Sequence, residues 1–180
     1  SIIASIIGTY FVKLGKNNYI MGELYKGLAV AGLLAAGAFL IASYQFIPGL
    51  TGPDAGVFTP WTVFLTALIG LALTGLIVWI TEYFTSQSFG PVKHIAEASQ
   101  TGHATNIIAG LAVSMKSTGA PALVICGAII WAYALGGGFA GNAGGGLFGI
   151  ALSAVAMLSM TGSVVAIDSY GPITDNAGGI

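Results

Sequence analysis

Four runs of this sequence, residues 27–46, 61–84, 105–135 and 147–168, are long and almost free of charge, and no other feature limits the fold so strongly. A bilayer core about 30 Å thick takes roughly 20 apolar helical residues to cross. Each run is long enough, and 105–135 crosses with tilt while carrying Lys116 and Pro121 inside it. A fifth run, 1–12, is uncharged but short and reads as the end of a truncated helix. The segments between them are rich in Gly, Pro, Asn and Thr, the residues that break helices. The fold class that follows is an all-α polytopic membrane protein with about five transmembrane helices, as a single membrane domain over 1–180.

The composition leaves no soluble alternative. Charged residues make up 6% of the chain, where a soluble domain has about 25%. The chain is 56% hydrophobic, with 5 basic and 6 acidic residues. A net charge of −1 makes nucleic acid an improbable partner. Cys126, the only cysteine, sits in an apolar run, which excludes a disulfide framework and a thiolate metal site. The chain opens without Met or a basic leader and stops on Asp175-Asn176-Ala177-Gly178-Gly179-Ile180, so a slice of a longer protein is expected.

Lysine placement orients the helices. Lys13, Lys16 and Lys26 lie in the loop 13–26 and Lys93 in the loop 85–104, whereas 45–60 and 136–146 hold neither Lys nor Arg. The positive-inside rule then makes the lysine-bearing loops cytoplasmic. The end of the fifth segment, 168–180, emerges on that same side, as do Glu82, Lys93, His94, Glu97 and His103. Within 27–46, Gly27, Ala31 and Ala35 recur every four residues, with Gly32 and Ala36 one row over. Small residues at this spacing let helix backbones approach closely in lipid.

Pro91 and Gly102 bound a short helix lying at the interface, with Lys93 and Glu97 spaced as an i,i+4 pair worth a few tenths of a kcal/mol. Thr105 and Asn106 are placed to cap the next helix. His94 and His103 have no cysteine nearby and make a poor metal site. Glu82, near a helix end, either snorkels to the headgroups or marks an ion path. Lys116, about 16 Å from the cytoplasmic helix end, either snorkels or pairs with a carboxylate elsewhere, and counts as a second ion-path candidate. Asp168 and Asp175, about 10 Å apart along a continuous helix, cannot both bind one Mg²⁺, whose oxygens sit at about 2.1 Å. A bend at Gly171-Pro172 would shorten that gap; taken on the residues alone, the acids read first as simple flanks of a membrane span. Gly136-Gly137-Gly138 and Gly144-Gly145-Gly146 are followed by no Lys-Ser/Thr, so they read as a flexible connector rather than a phosphate loop.

Three motifs then occur in order: Thr81-Glu82-Tyr83-Phe84-Thr85; Thr101-Gly102-His103-Ala104-Thr105-Asn106-Ile107-Ile108; and Ala166-Ile167-Asp168-Ser169-Tyr170-Gly171-Pro172-Ile173-Thr174-Asp175-Asn176-Ala177-Gly178-Gly179-Ile180. Together they closely resemble the membrane-integral inorganic pyrophosphatases, ion pumps driven by pyrophosphate hydrolysis. The resemblance implies a central slice of a bundle of about sixteen helices, here the seventh to the eleventh. It implies pyrophosphate as substrate, H⁺ or Na⁺ as transported ion, Mg²⁺ as cofactor with K⁺ as a candidate activator, and a homodimer when full-length. The expected location is a bacterial or archaeal cell membrane, or an acidic-organelle or vacuolar one. Residue by residue it makes Asp175 a Mg²⁺ ligand, Asp168 and Asn176 substrate-site candidates, and Glu82 an ion-transport residue. The Asp- and Lys-rich segments that complete the family's site are not in this slice, which alone is expected to be inactive. The competing reading is a non-catalytic segment of a secondary transporter or membrane scaffold.

Overall fold

The computed structural model describes residues 2–13, 20–50 and 59–179, and the side chains of 20, 21, 47–50, 174 and 175 lie outside that description. Every regular element among the described residues is helical: α1 (Ile2–Tyr10), α2 (Ile20–Leu50), α3 (Pro60–Thr85), α4 (Gly90–Ser99), α5 (His103–Ser117), α6 (Gly119–Leu135), α7 (Ala143–Leu158) and α8 (Thr161–Gly178), with a 3₁₀ turn at Gly138–Ala140. Three spans are long and apolar enough to cross a membrane: Gly22–Phe46, Pro60–Ser99 and His103–Leu135. The bent pair α7–α8 is a fourth if counted as one span. α1, at 9 residues, rises only about 14 Å and cannot cross by itself.

The described chain falls into two compact units, Ser1–Leu71 with Trp131–Ile180 and Ala72–Ile130. In the first, α1 crosses α2 where Gly8 meets Gly27 and Ala31; a methyl group on Gly8 would sit 2.8 Å from the Gly27 carbonyl oxygen. Ala31 and Ala35 are buried to 0% and 2% exposure and form a small core with Ala4 and Met160. Leu28, Phe39 and Leu71 pack around it. The four-residue spacing of small side chains in α2 therefore does what lipid requires: with no hydrophobic drive between helices, close backbone contact supplies the dispersion. The second row also has a neighbour, since the Met160 methyl is the nearest group to a Cβ built on Gly32. Gly70 of α3 lies so close to α7 that a Cβ there would overlap the Ser153 carbonyl oxygen.

The glycine-rich stretch between α6 and α7 is not the flexible connector expected from sequence. It folds as a tight helical hairpin. Gly136 packs on the backbone of Gly145, Gly149 packs on the Ala132 carbonyl, and the Tyr133 ring lies against Gly138 and Gly146. Gly137 and Gly141 take left-handed backbone angles (φ 79° and 91°) that turn the chain, a conformation open to glycine at little cost. Asn142 then caps α7, its side-chain oxygen accepting the Gly145 N–H at 2.9 Å.

In the second unit, α4 packs on α5 through threonine. The Thr105 hydroxyl donates to the Ala98 carbonyl at 3.0 Å and to that of Gly102 at 2.8 Å, and lies 2.7 Å from the Thr101 hydroxyl. Thr105 and Asn106 thus do not cap α5; the helix starts at His103 after Gly102, whose φ of 136° excludes most side chains. Pro91 occupies the first turn of α4, where its missing N–H costs no hydrogen bond. The 105–135 run contains a break at Thr118, and α6 restarts at Gly119 so that Pro121 also falls in a first turn. Lys93 and Glu97 are both exposed and do not close into an ion pair; the ion pair among the described residues is Lys26–Glu23 at 2.6 Å.

Candidate functional site

The acidic motif folds as α8, and its geometry differs from the expectation in one important respect. The helix does not end at Asp168. It runs on through Gly171 and Pro172 to Gly178. Pro172 has no N–H to give to the carbonyl of Asp168, four residues back, so the ladder loses that bond without the helix stopping. The bend instead lies upstream, at the α7–α8 junction, where the axes turn by 42°. Asp175 accordingly sits within a helix rather than on an irregular turn after a Gly-Pro break, and its side chain lies outside the described residues.

On a continuous helix, seven residues return nearly to the same face after about 10 Å of rise. Asp168 and Asp175 therefore share a face two turns apart, with Asn176 beside Asp175. Asp168 and Asn176 are exposed. That spacing rules out one ion binding both carboxylates directly, and no group of three His, Cys, Asp or Glu residues among the described ones can hold a metal. Among the described residues, then, no such cluster is complete.

The two ion-path candidates lie in the other unit. Glu82 is half-buried in the last turn of α3, where its carbonyl accepts the Ser86 N–H at 2.8 Å. The Tyr83 ring beside it packs edge-on to Phe84 and against Phe89. Lys116 is exposed in the last turn of α5, where the helix dipole favours a cation. Around it the Ser117 hydroxyl bonds the Ser114 carbonyl and that of Thr118 the Met115 carbonyl, at 2.7 and 2.8 Å. Neither Glu82 nor Lys116 has an ion-pair partner among the described residues. His94 and His103 are exposed and belong to no metal cluster there.

Sequence reasoning missed two polar features. The side-chain oxygen of Asn106, in the first turn of α5, is buried without a hydrogen-bond partner among the described residues. A groove carrying Ser5, Thr9, Ser159 and Ser163 also opens between α1 and the α7–α8 junction. Ser159 and Ser163, four residues apart, were the available signal, but their partners on α1 lie 150 or more residues away in sequence.

A family model described as "Inorganic H+ pyrophosphatase" matches residues 1–180. A protein of Rhizobium leguminosarum bv. trifolii named "Pyrophosphate-energized proton pump 2" is 50% identical over 181 residues, covering 99% of this chain and 80% of its own length. A Methanosarcina mazei protein named "K(+)-insensitive pyrophosphate-energized proton pump" is 47% identical over 180 residues, covering 100% of this chain but 25% of its own length. A third, from Anaplasma marginale and named "Pyrophosphate-energized proton pump", is 46% identical over 150 residues, covering 82% of this chain and 100% of its own.

Proposed function

The chain belongs to the inorganic H⁺ pyrophosphatase family, and from that premise we propose that it is part of a membrane-bound enzyme that hydrolyses pyrophosphate to phosphate and moves H⁺ across the membrane. The observation that carries this is the match along all of residues 1–180, which includes the acidic helix α8. Relatives covered to 80% and 25% of their lengths carry names that couple pyrophosphate to proton pumping. The transporter-segment or scaffold reading has no comparable support.

Phosphoanhydride hydrolysis needs metal ions to neutralise developing charge and carboxylates to position them and the attacking water. Magnesium is the cofactor proposed. Asp175 is assigned one ligand position, with Asp168 and Asn176 toward the substrate on the same helix face. The 10 Å separation of the two acids along α8 means they serve different parts of that site. Glu82 and Lys116, ionisable groups in spans that could cross a membrane, are assigned to the ion path. The lysine-bearing loops and residues 168–180 are assigned to the cytoplasmic side, where pyrophosphate would arrive. The full-length protein is assigned a homodimeric state in the lipid bilayer. Sodium in place of H⁺, and a potassium requirement, are the variables to measure in the same assay; the words "K(+)-insensitive" in one relative's name bear on the latter.

The test is magnesium-dependent phosphate release from pyrophosphate by membranes carrying the full-length parent protein. Release above membranes without it supports the reading, and its absence from well-inserted protein contradicts it.

A further inference from the structure

The groove between α1 and the α7–α8 junction has no part in the reading above. Small and hydroxyl-bearing residues line it: Ser5 and Thr9 of α1, Ser159 at the break, and Gly162, Ser163 and Ala166 of α8. The rest of its wall is apolar, with Ile2, Ile6 and Leu158 exposed to 76%, 53% and 60%. A methyl group on Gly162 would lie 3.9 Å from the Ser5 hydroxyl oxygen, so α1 faces α8 across the groove.

Three hydroxyls on these helices are satisfied by their own backbone. Thr9 donates to the Ile6 carbonyl at 2.7 Å, Ser159 to that of Ala156 at 2.6 Å and Ser169 to that of Val165 at 2.8 Å. The hydroxyls of Ser5 and Ser163, half-buried in the groove wall, have no such bond among the described residues. At Ser163 the carbonyl three residues back, that of Met160, already accepts the N–H groups of Ser163 and Val164, each at 3.1 Å. An α-helix turns by about 100° per residue, so Asp168 stands roughly 170° round α8 from the mean direction of Gly162, Ser163 and Ala166. The groove therefore lies behind the acidic face and is separate from the magnesium and substrate positions assigned above.

We propose that a membrane helix from the part of the parent protein outside residues 1–180 docks in this groove and presents a hydroxyl or amide side chain to Ser5 and Ser163. There is chain enough to supply it, since these residues cover 25% of the length of the Methanosarcina mazei relative. The mixed wall selects a helix over other occupants. A lipid chain suits Ile2, Ile6 and Leu158 but leaves both hydroxyls unpaired. Water suits the hydroxyls but wets the apolar wall. A helix with apolar flanks and one Ser, Thr, Asn or Gln satisfies both, and such side chains hydrogen-bond across membrane helices. Gly162 and Ala166, four residues apart, let its backbone come close. A charged side chain fits poorly, because no Asp, Glu, Lys or Arg lines the groove. Docked there, the helix supports α8 from behind and leaves Asp168 open on the other side. The inference concerns assembly alone and stands whether or not the protein pumps.

Site-specific photocrosslinking in membranes carrying the full-length parent tests it. p-Benzoylphenylalanine replaces Ile6 and, in a separate variant, Ile2; both are exposed, so the α1–α2 contact at Ala4 and Gly8 stays intact. After irradiation, protein that still runs as a monomer on a denaturing gel is digested and mapped by mass spectrometry. At least one position should join to a peptide of the same chain outside 1–180 that carries Ser, Thr, Asn or Gln. Adducts only with lipid, with a second copy or with residues 1–180, or no adduct from inserted protein, overturn the proposal. A second readout adds Ser163→Leu, which fills the groove. It should lower the yield of the Ile6 adduct at least ~10-fold, as overpacking of a close contact does. An unchanged yield also overturns the proposal. Where Ser163→Leu does not insert, the adducts from Ile2 and Ile6 decide.

Discussion

Two glycines five residues apart on α3 should respond to alanine with opposite signs. At Gly70 a Cβ would overlap the Ser153 carbonyl oxygen and lie 2.9 Å from the Met157 nitrogen, both backbone atoms of α7. Neither can swing aside as a side chain would, so the helices must separate. Overpacking of this kind costs about 1–3 kcal/mol. At Gly75 nothing lies within 4 Å of the same methyl. There Gly→Ala removes a mid-helix glycine and gains about 0.5–1 kcal/mol. The two variants should therefore differ by about 1.5–4 kcal/mol, which is roughly 10- to 700-fold in the ratio of folded to unfolded protein at about 1.4 kcal/mol per factor of ten. The assay is reversible unfolding in mixed micelles with a rising mole fraction of denaturing detergent, followed by Trp fluorescence. Gly70→Ala should unfold at lower detergent than the parent and Gly75→Ala at the same or higher. Equal midpoints, or a more stable Gly70→Ala, would refute the claim that α3 and α7 are in backbone contact at Gly70.

Three further outcomes are expected. Cysteines at Ser88 and Gly141 should label from opposite faces of a sealed membrane, Ser88 from the cytoplasm; labelling of both from one face removes the helix count. The 180-residue chain purified alone should release no phosphate from pyrophosphate, since it builds no three-ligand metal cluster among its described residues; release above a mock preparation shows a complete site. Glu82→Gln in the full-length parent should reduce ion transport by more than it reduces hydrolysis, because Glu82 lies at the end of α3 and outside the acidic helix; an equal fall in both places it in the hydrolytic site or the fold.

What could be read in advance was whatever depends on spacing within one helix. Gly27, Ala31 and Ala35 announced that α2 packs closely on another helix, though not on which one, because a four-residue repeat of small side chains has one use in lipid, close approach. Pro91 gave the start of α4 because proline has few allowed helical positions. What could not be read depends on a partner distant in sequence. Three consecutive glycines look the same in a loose linker and in a hairpin, and only the Tyr133 ring between Gly138 and Gly146 separates the two. Pro172 was the obvious place for a bend, yet the helix carries it, while the bend falls at Ser159-Met160, where the sequence has no breaker. Buried Met160 sits in the core with Ala31 and Ala35, so tertiary packing accompanies the break that local propensity does not announce. Of the candidate site, the residue identities were legible from the motif. Their two-turn separation on one unbroken helix was not settled until α8 was seen to run past Pro172.

The most direct test is to measure pyrophosphate hydrolysis and pyrophosphate-driven acidification together, in sealed vesicles, for the full-length parent and for Asp175→Asn. Asparagine keeps the size and hydrogen bonding of aspartate and removes the charge a hard cation requires. The parent should hydrolyse pyrophosphate and acidify the lumen, with a gradient that a protonophore abolishes. Asp175→Asn, inserted and folded to the same extent, should lose roughly a hundredfold in hydrolysis at limiting magnesium, in line with the loss of a metal-held charge, and acidification should fall with it. Near-parental hydrolysis by Asp175→Asn at limiting magnesium, or hydrolysis by the parent that moves neither H⁺ nor Na⁺, would contradict the account.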